Sequence, residues 1–77
     1  MWQDSEGKLT RTFEFSNFVE ALTFVNKVGE IAERLGHHPD ITIRDYRYVA
    51  IATTTHDAGF VVTEKDRELA EAVDRLL

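Results

Sequence analysis

The sequence predicts an α+β fold in which an antiparallel four-stranded sheet carries two helices packed on one face. Alternating apolar residues mark short strands, and apolar residues recurring every three or four positions mark two helices. The elements follow in the order strand, helix, hairpin, helix, which is typical of helices segregated to one face of an antiparallel sheet. Because the chain has 77 residues, we expect residues 1–77 to form a single domain.

The first strand is predicted at Leu9–Phe15, where apolar and polar side chains alternate. Gly7 marks a turn before this strand. Met1–Gln3 is predicted as a short partner strand that Trp2 anchors, which brings the sheet to four strands.

The first helix is expected to begin at Ser16 or Asn17, since both are favourable N-caps and Asn17 has capping-box spacing to Glu20. Gly36 is well placed to end this helix, and Pro39 prevents its continuation. The predicted apolar stripe consists of Phe18, Ala21, Leu22, Val25, Val28, Ala32 and Leu35.

Two further strands, Ile41–Arg44 and Tyr48–Thr54, are predicted to form a hairpin with a tight link through Asp45 and Tyr46. A regular pleat places Val49, Ile51 and Thr53 on one face, with Tyr48, Ala50, Ala52, Thr54 and His56 on the other.

The last helix is expected to begin at a Thr63 cap, with Asp66 at the capping-box position. Its predicted apolar stripe is Leu69, Ala70, Val73, Leu76 and Leu77. The capping role alone accounts for an acid at Asp66.

Composition and charge narrow the classes of function. Nine Lys and Arg against fourteen Asp and Glu give a net charge of -5, which disfavours binding to nucleic acid and to anionic membranes. The chain has no membrane-length apolar run, and its polar start differs from a secretory signal, so we expect a cytoplasmic protein. Small domains without disulfides gain stability from self-association, so we expect a homodimer or homotetramer.

The candidate chemical groups are three histidines at element ends, His37, His38 and His56. Imidazole has an ordinary pKa of about 6.5, so it can both accept and donate a proton near neutral pH. Glu33 lies four residues before His37 and could orient its ring if the last helical turn persists. The competing interpretation is that these histidines are ordinary polar residues in connecting segments.

Other chemistries are less well supported by the residues. Three histidines with Glu33 or Asp66 would be enough ligands for zinc, but the adjacent histidines point to opposite sides of an extended chain, and we expect no metal site. There is no Cys, and the serines have no base nearby in sequence, which disfavours nucleophilic catalysis.

The spacing of these residues resembles the motif of the pterin-4a-carbinolamine dehydratases. The matching positions are Glu33, His37, His38, Pro39, Tyr46, His56 and Asp66, together with the Thr55–Gly59 and Thr63–Asp66 segments and the upstream residues Trp2, Leu9, Arg11, Phe13, Phe15, Phe18 and Ala21. The resemblance therefore spans nearly the whole chain.

The resemblance implies an enzyme that dehydrates 4a-hydroxytetrahydropterin to quinonoid dihydropterin, with no metal or organic cofactor. Such an enzyme restores the pterin spent by aromatic amino acid hydroxylases, so a functional link to a hydroxylase is expected. The alternative is a non-catalytic interaction or dimerisation module of the same fold, because the family includes a dimerisation partner of a transcription factor.

The resemblance also implies roles for single residues. His37 and His56 would be the acid-base pair, and His38 would hold the pterin or assist proton transfer. The supporting residues would be Glu33, which orients His37, Pro39, which fixes the backbone, Tyr46, which lines or supports the pocket, and Asp66, which binds through its carboxylate or holds the His56 loop.

The chain departs from the family pattern at several places. Many relatives carry a helix before the segment that begins here at Met1, and a second Gly commonly stands where this chain has Phe60. The segment from His56 to Asp66 and the hairpin from Ile43 to Tyr48 each look one residue longer than in many relatives. These departures concern the loop geometry around His56.

Overall fold

The predicted α+β fold is confirmed in the computed structural model, which describes all of residues 1–77. The elements are β1 (Gln3–Ser5), β2 (Lys8–Glu14), α1 (Phe18–Leu35), β3 (Asp40–Arg44), β4 (Tyr48–Thr53) and α2 (Glu64–Asp74), with a 3-10 turn at His56–Ala58. The four strands form one antiparallel sheet with the order β1-β2-β4-β3.

The partner strand at the amino end lies two residues later than the predicted Met1–Gln3. Glu6 and Gly7 both have positive φ (53° and 77°), as a two-residue hairpin turn of type I′ requires. This turn fixes the register of β1 on β2, with Ser5 opposite Lys8, so the strand must end at Ser5.

Trp2 was predicted within the partner strand but precedes β1. Its side chain still anchors this end of the sheet, as predicted. Its indole Nε1 donates a hydrogen bond of 2.9 Å to the carboxylate of Asp74, which also accepts one of 3.0 Å from Arg11. The Trp2 ring meets the Phe13 ring edge to face, with centroids 6.0 Å apart. These contacts tie the first two strands to the end of α2.

The predicted ends of α1 are confirmed. The side chain of Asn17 accepts a hydrogen bond from the Glu20 amide, and the Glu20 carboxylate accepts one from the Ser16 amide. Gly36 ends the helix in the left-handed conformation, with φ 64°.

The predicted stripe of α1 was partly wrong, because its buried face is Ala21, Phe24, Val28, Ile31 and Ala32. Phe24 and Ile31 were not in that stripe, whereas Phe18 is 50% exposed. Apolar residues cover a wide part of this helix, so spacing alone does not locate the centre of the buried face.

The hairpin β3–β4 forms as predicted, with small shifts. β3 begins one residue earlier, at Asp40, β4 ends one residue earlier, at Thr53, and the link is a three-residue turn that includes Arg47. Val49, Ile51 and Thr53 are all buried, which confirms the predicted face.

One core joins the sheet to both helices. Its buried members are Phe13, Ala21, Phe24, Val28, Ile31, Ala32, Val49, Ile51, Leu69, Ala72 and Val73. They come from the same face of the strands, so both helices pack on that face and the other face stays uncovered.

The predicted start of α2 is confirmed, with Thr63 as N-cap and Asp66 completing the capping box. Leu69, Ala70 and Val73 are buried as predicted, Ala72 is an additional buried residue, and Leu77 lies exposed beyond the helix. Neither helix has the apolar length needed to cross a bilayer.

The turn between β1 and β2 packs closely against the loop after β4, which yields a stability prediction. A Cβ atom at Gly7 would lie 2.2 Å from the carbonyl oxygen of Phe60, whereas a Cβ at Gly36 would meet nothing within 4 Å. Both glycines have positive φ, so both alanine variants carry backbone strain of about 1–2 kcal/mol.

We therefore expect Gly7→Ala to lower the free energy of unfolding by roughly 1–3 kcal/mol more than Gly36→Ala does, because only Gly7→Ala adds a clash with backbone. Urea unfolding of the two variants measures this difference. Equal losses would show that the turn and the loop do not press on each other.

Candidate functional site

The three histidines lie around one open pocket at one end of the sheet. Its volume is about 230 Å³, which is below the range of about 300–1,000 Å³ that is usual for ligand pockets. The seven lining residues, none of them hydrophobic, are Gly36, His37, His38, Thr55, His56, Asp57 and Lys65.

Three chain segments bring these residues together. The left-handed Gly36 reverses the chain after α1, and the His37 amide donates to the Ala32 carbonyl (3.1 Å), which turns His37 toward α2. Beyond β4, Thr55 pairs with Val61 in an isolated bridge that closes the loop carrying His56. The first turn of α2 contributes Lys65.

A buried carboxylate, that of Asp66, lies behind the pocket. Asp66 is 0% exposed. Its Oδ1 lies 2.6 Å from Nε2 of His37 and accepts a hydrogen bond of 2.6 Å from the Thr53 hydroxyl. Its Oδ2 accepts from the Thr55 hydroxyl (2.7 Å) and from the Thr63 amide (2.9 Å).

These hydrogen bonds keep Asp66 ionised. Burial by itself raises the pKa of this carboxyl, but the hydrogen bonds from Thr53, His37, the Thr63 amide and Thr55 outweigh burial and lower the pKa to about 2. At neutral pH the carboxylate has no proton of its own and can only accept.

The directions of the neighbouring hydrogen bonds follow from this charge. The Thr55 hydroxyl must donate to Asp66, so in its 2.6 Å contact with Thr63 it accepts, and the Thr63 hydroxyl is the donor. In the same way, Nε2 of His37 carries the proton that it shares with Asp66. In the neutral ring Nδ1 is then the free proton acceptor.

His38 is paired differently from the expectation for this region. The sequence spacing suggested that Glu33 orients His37, but the Glu33 carboxylate meets Nε2 of His38 instead. The helix ends at Gly36, so the i,i+4 relation of Glu33 and His37 on a continuous helix does not apply. Both partners of the His38 pair are exposed, so its effect on stability is small.

His56 lies at the start of the 3-10 turn and is exposed. Its ring meets Phe60 edge to face, with centroids 4.9 Å apart. Phe60 is 62% exposed and does not line the pocket, so it leaves the space between the histidines open.

The structure does not bring every motif residue to the pocket of its own chain. Pro39 borders a neighbouring groove against α1, next to His38. Tyr46 lies in the β3–β4 turn, at the opposite end of the sheet, and is 61% exposed. Asp66 is fully buried, so within this chain it reaches a ligand only through His37.

Sequence reasoning did not identify Thr53 and Thr55 as partners of Asp66, nor Lys65 as a pocket residue. The alternation of β4 puts Thr53 on the buried face, and a buried hydroxyl needs an acceptor, so this partner could have been anticipated. No group of three or more His, Asp or Glu side chains is placed to hold a metal ion.

The whole chain matches a known family. A family model described as pterin 4 alpha carbinolamine dehydratase matches residues 1–76. The chain belongs to this family. The resemblance seen in the motif spacing is thereby confirmed.

Relatives in this family are close in sequence. A protein of Acidobacterium capsulatum, provisionally named a pterin-4-alpha-carbinolamine dehydratase, is 51% identical over 76 residues, covering 99% of this chain and 80% of the relative. A protein of Chloroflexus aurantiacus with the same provisional name is 49% identical over 76 residues, with the same coverage.

Two solved structures share the fold of this dehydratase family. The transcriptional coactivator/pterin dehydratase from Brucella melitensis has a TM-score of 0.86 at 32% identity, covering 96% of this chain and 79% of that one. A pterin dehydratase-like protein identified as a RuBisCO assembly factor in the alpha-carboxysome has a TM-score of 0.76 at 26% identity, covering 99% and 86%.

The low pKa of Asp66 predicts how stability changes with pH. Because the pKa falls from 3.8 to about 2 on folding, ionised Asp66 stabilises the fold above pH 3.8, and this contribution is lost as the pH falls toward 2. Asp66→Asn lacks the charge at every pH and should be less stable at pH 5 by roughly 1–3 kcal/mol.

The stability difference between wild type and Asp66→Asn should therefore shrink between pH 4 and pH 2.5, measured by urea unfolding at each pH. Glu68→Gln, which changes an exposed carboxylate on the same helix, is the control and should follow the wild-type curve. A constant difference for Asp66→Asn would contradict the lowered pKa.

Proposed function

We propose that this chain dehydrates 4a-hydroxytetrahydropterin to quinonoid dihydropterin by histidine acid-base catalysis. The observation that carries the proposal is the grouping of His37, His38 and His56 around one open pocket, in a chain that belongs to the dehydratase family. Of four further pockets on the molecule, none is lined by more than one imidazole.

The reaction needs one proton donor and one proton acceptor. The bond from C4a to its hydroxyl oxygen breaks, and the oxygen takes up a proton and leaves as water. N5 loses its proton, and its electron pair forms the double bond to C4a. Neutral and protonated imidazoles near pH 7 supply both functions.

The surroundings of the histidines suggest how the roles divide. We assign the acceptor role to Nδ1 of His37, since Asp66 holds the proton on Nε2 and stabilises the imidazolium that forms. His56 makes no ion pair and is exposed, which suits a donor to the leaving hydroxyl. His38 and Lys65 would bind polar atoms of the pterin at the rim.

Asp66 would act as a positioning residue. It is closed off from the pocket, so its effect passes through the orientation and tautomer of His37. Thr53 and Thr55 in turn hold the Asp66 carboxylate. This assignment needs no metal or organic cofactor. An aromatic amino acid hydroxylase would supply the substrate.

We expect His56→Ala to lower kcat by about 10²–10⁴, because it removes one acid-base group. The assay follows the absorbance change after mixing with enzymatically generated 4a-hydroxytetrahydropterin. Asn26→Ala, which changes an exposed residue on α1, is the control for the preparation of variant protein and should retain the wild-type rate. A wild-type rate equal to the uncatalysed rate would overturn the proposed function, and a folded, fully active His56→Ala would overturn the role of His56.

Treatment with a chelator is a separate test of the mechanism. Dialysis against EDTA should leave both kcat and the melting temperature unchanged, since imidazoles alone carry the protons. Zinc retained after purification, with a fall in melting temperature after dialysis, would favour a metal site instead.

A second candidate function is a non-catalytic interaction module. The structural likeness to the RuBisCO assembly factor favours it, since that pterin dehydratase-like protein has a TM-score of 0.76. A protein partner bound in stoichiometric amount, together with no melting-temperature shift on adding pterin, would support this function over catalysis.

A further inference from the structure

We propose that Phe60 is a positioning residue whose ring holds the imidazole of His56 in one orientation at the pocket. The contact between the two rings stands on the geometry alone, whereas its effect on the rate of dehydration rests on the proposed function. The proposal deepens that function by naming a residue that acts on a proton donor from outside the pocket lining.

His56 is the one histidine of the pocket whose ring no carboxylate holds. His37 meets Asp66, and His38 meets Glu33. The ring of His56 makes no ion pair, and the residue is exposed. An exposed side chain without a partner exchanges among its staggered rotamers. A proton donor must be within hydrogen-bond reach of the leaving hydroxyl, so proton transfer from His56 requires another contact that orients the ring.

Phe60 makes this contact. The two rings meet edge to face, with centroids 4.9 Å apart and an angle of 82° between their planes. Aromatic pairs prefer this arrangement, which an attraction of the usual strength favours by about two- to tenfold over the unpaired alternatives. Phe60 does not line the pocket, so it limits the rotamers of His56 without occupying the space for a ligand.

The backbone conformation at Phe60 is one that disfavours phenylalanine. Its φ is 61°, in the left-handed region that glycine adopts freely and bulky residues rarely enter. The side chain is 62% exposed and is not a member of the core, so packing of the fold does not account for a phenylalanine here. Residues held in such conformations cluster at functional sites. The contact with His56 is the function that the geometry offers.

The loop returns residue 60 to His56 within four positions. The Gly59 amide donates to the His56 carbonyl (3.0 Å), and Gly59 is also left-handed, with φ 86°. Two left-handed residues in succession reverse the chain after the 3-10 turn. A negative φ at residue 60 would send the side chain off in another direction, so the strained conformation and the ring contact belong together.

Neighbouring backbone groups hold residue 60 in this conformation. The Phe60 amide donates to the Thr55 carbonyl, and the Thr55 amide donates to the Val61 carbonyl, both at 3.0 Å. On the other side, the Phe60 carbonyl oxygen lies so close to Gly7 that a Cβ there would be 2.2 Å away. All of these contacts use backbone atoms of residue 60. A new side chain at this position therefore changes the contact with His56 and leaves the loop in place.

The rotamers of His56 test the contact directly. NMR three-bond coupling constants about its Cα–Cβ bond should show one predominant rotamer in the wild type and in Phe60→Tyr, which keeps the ring. In Phe60→Leu, which keeps the strained backbone but lacks the ring, the couplings should average over several rotamers, while the ring signals of His37 stay in place. A His56 rotamer unchanged by Phe60→Leu would overturn the proposal.

Phe18→Leu is the matched control, because Phe18 is another exposed phenylalanine, at the start of α1. It should leave the His56 couplings as in the wild type. Averaging of the couplings in this variant as well would show that loss of any surface ring loosens His56, and would overturn a specific role of Phe60.

The stability of Phe60→Gly separates positioning from a role in the fold. Glycine is unstrained in the left-handed region, so the urea midpoint of this variant should equal or exceed that of the wild type. The His56 couplings should average as they do in Phe60→Leu. A lower midpoint would show that phenylalanine serves the stability of the loop, and would overturn the proposal.

Steady-state kinetics test the consequence for catalysis. Phe60→Leu should lower kcat about two- to tenfold and change KM by less than about twofold, and Phe60→Tyr should restore the wild-type kcat. A higher KM with an unchanged kcat would mean that Phe60 contacts the pterin, and an unchanged kcat and KM would remove its role in proton transfer. Either result overturns the proposal. If the wild type shows no turnover but His56 loses its rotamer in Phe60→Leu, the proposed function fails and the positioning by Phe60 stands.

Discussion

The arrangement of this site depends on one buried carboxylate that remains charged. An ion removed from water is stable only when donors fill its lone pairs, and Asp66 receives them from the segment after α1, from the end of β4 and from the cap of α2. Three parts of the chain that are distant in sequence are therefore held in one geometry. Asp66 completes the capping box of α2 and also meets Nε2 of His37, so the start of this helix and the orientation of the imidazole depend on the same carboxylate.

Local chemistry explains how much of the fold could be predicted from the sequence. Residues close together in sequence determine the helix ends at Asn17, Gly36 and Thr63 and the alternation of buried residues in β4. The structure confirms these predictions. The register of β1 required recognising that Glu6 joins Gly7 in the left-handed region, which glutamate rarely enters. Apolar residues lie on several sides of α1, so the sequence alone does not show which side is buried. The buried face depends on which elements pack against the helix.

The candidate site was predictable only in part, for a related reason. The spacing predicted the three histidines as candidate site residues, and the family resemblance implied that they act together. Neither identified the hydrogen-bond partners of their rings. Whether Glu33 meets His37 or His38 depends on how sharply the chain turns at Gly36. The hydroxyls of Thr53 and Thr55, at and just beyond the end of β4, donate hydrogen bonds to Asp66 on α2. The periodicity of apolar residues does not predict such contacts between side chains of different elements. Tyr46 lies at the far end of β3 from the histidines, a distance that the spacing of the motif did not reveal.

The turn at Glu6 and Gly7 looks like a convenient place to insert an epitope, a fluorescent label or a circular-permutation break, since it is a short surface hairpin. Its surroundings make it a poor one. The carbonyl of Gly7 accepts a hydrogen bond of 2.6 Å from Thr54, and its Cα side abuts the backbone of Phe60, which follows the His56 loop. An insertion there would disturb the contacts of this turn with Thr54 and with the backbone of Phe60. Leu77, which is exposed and follows α2, is the better attachment point.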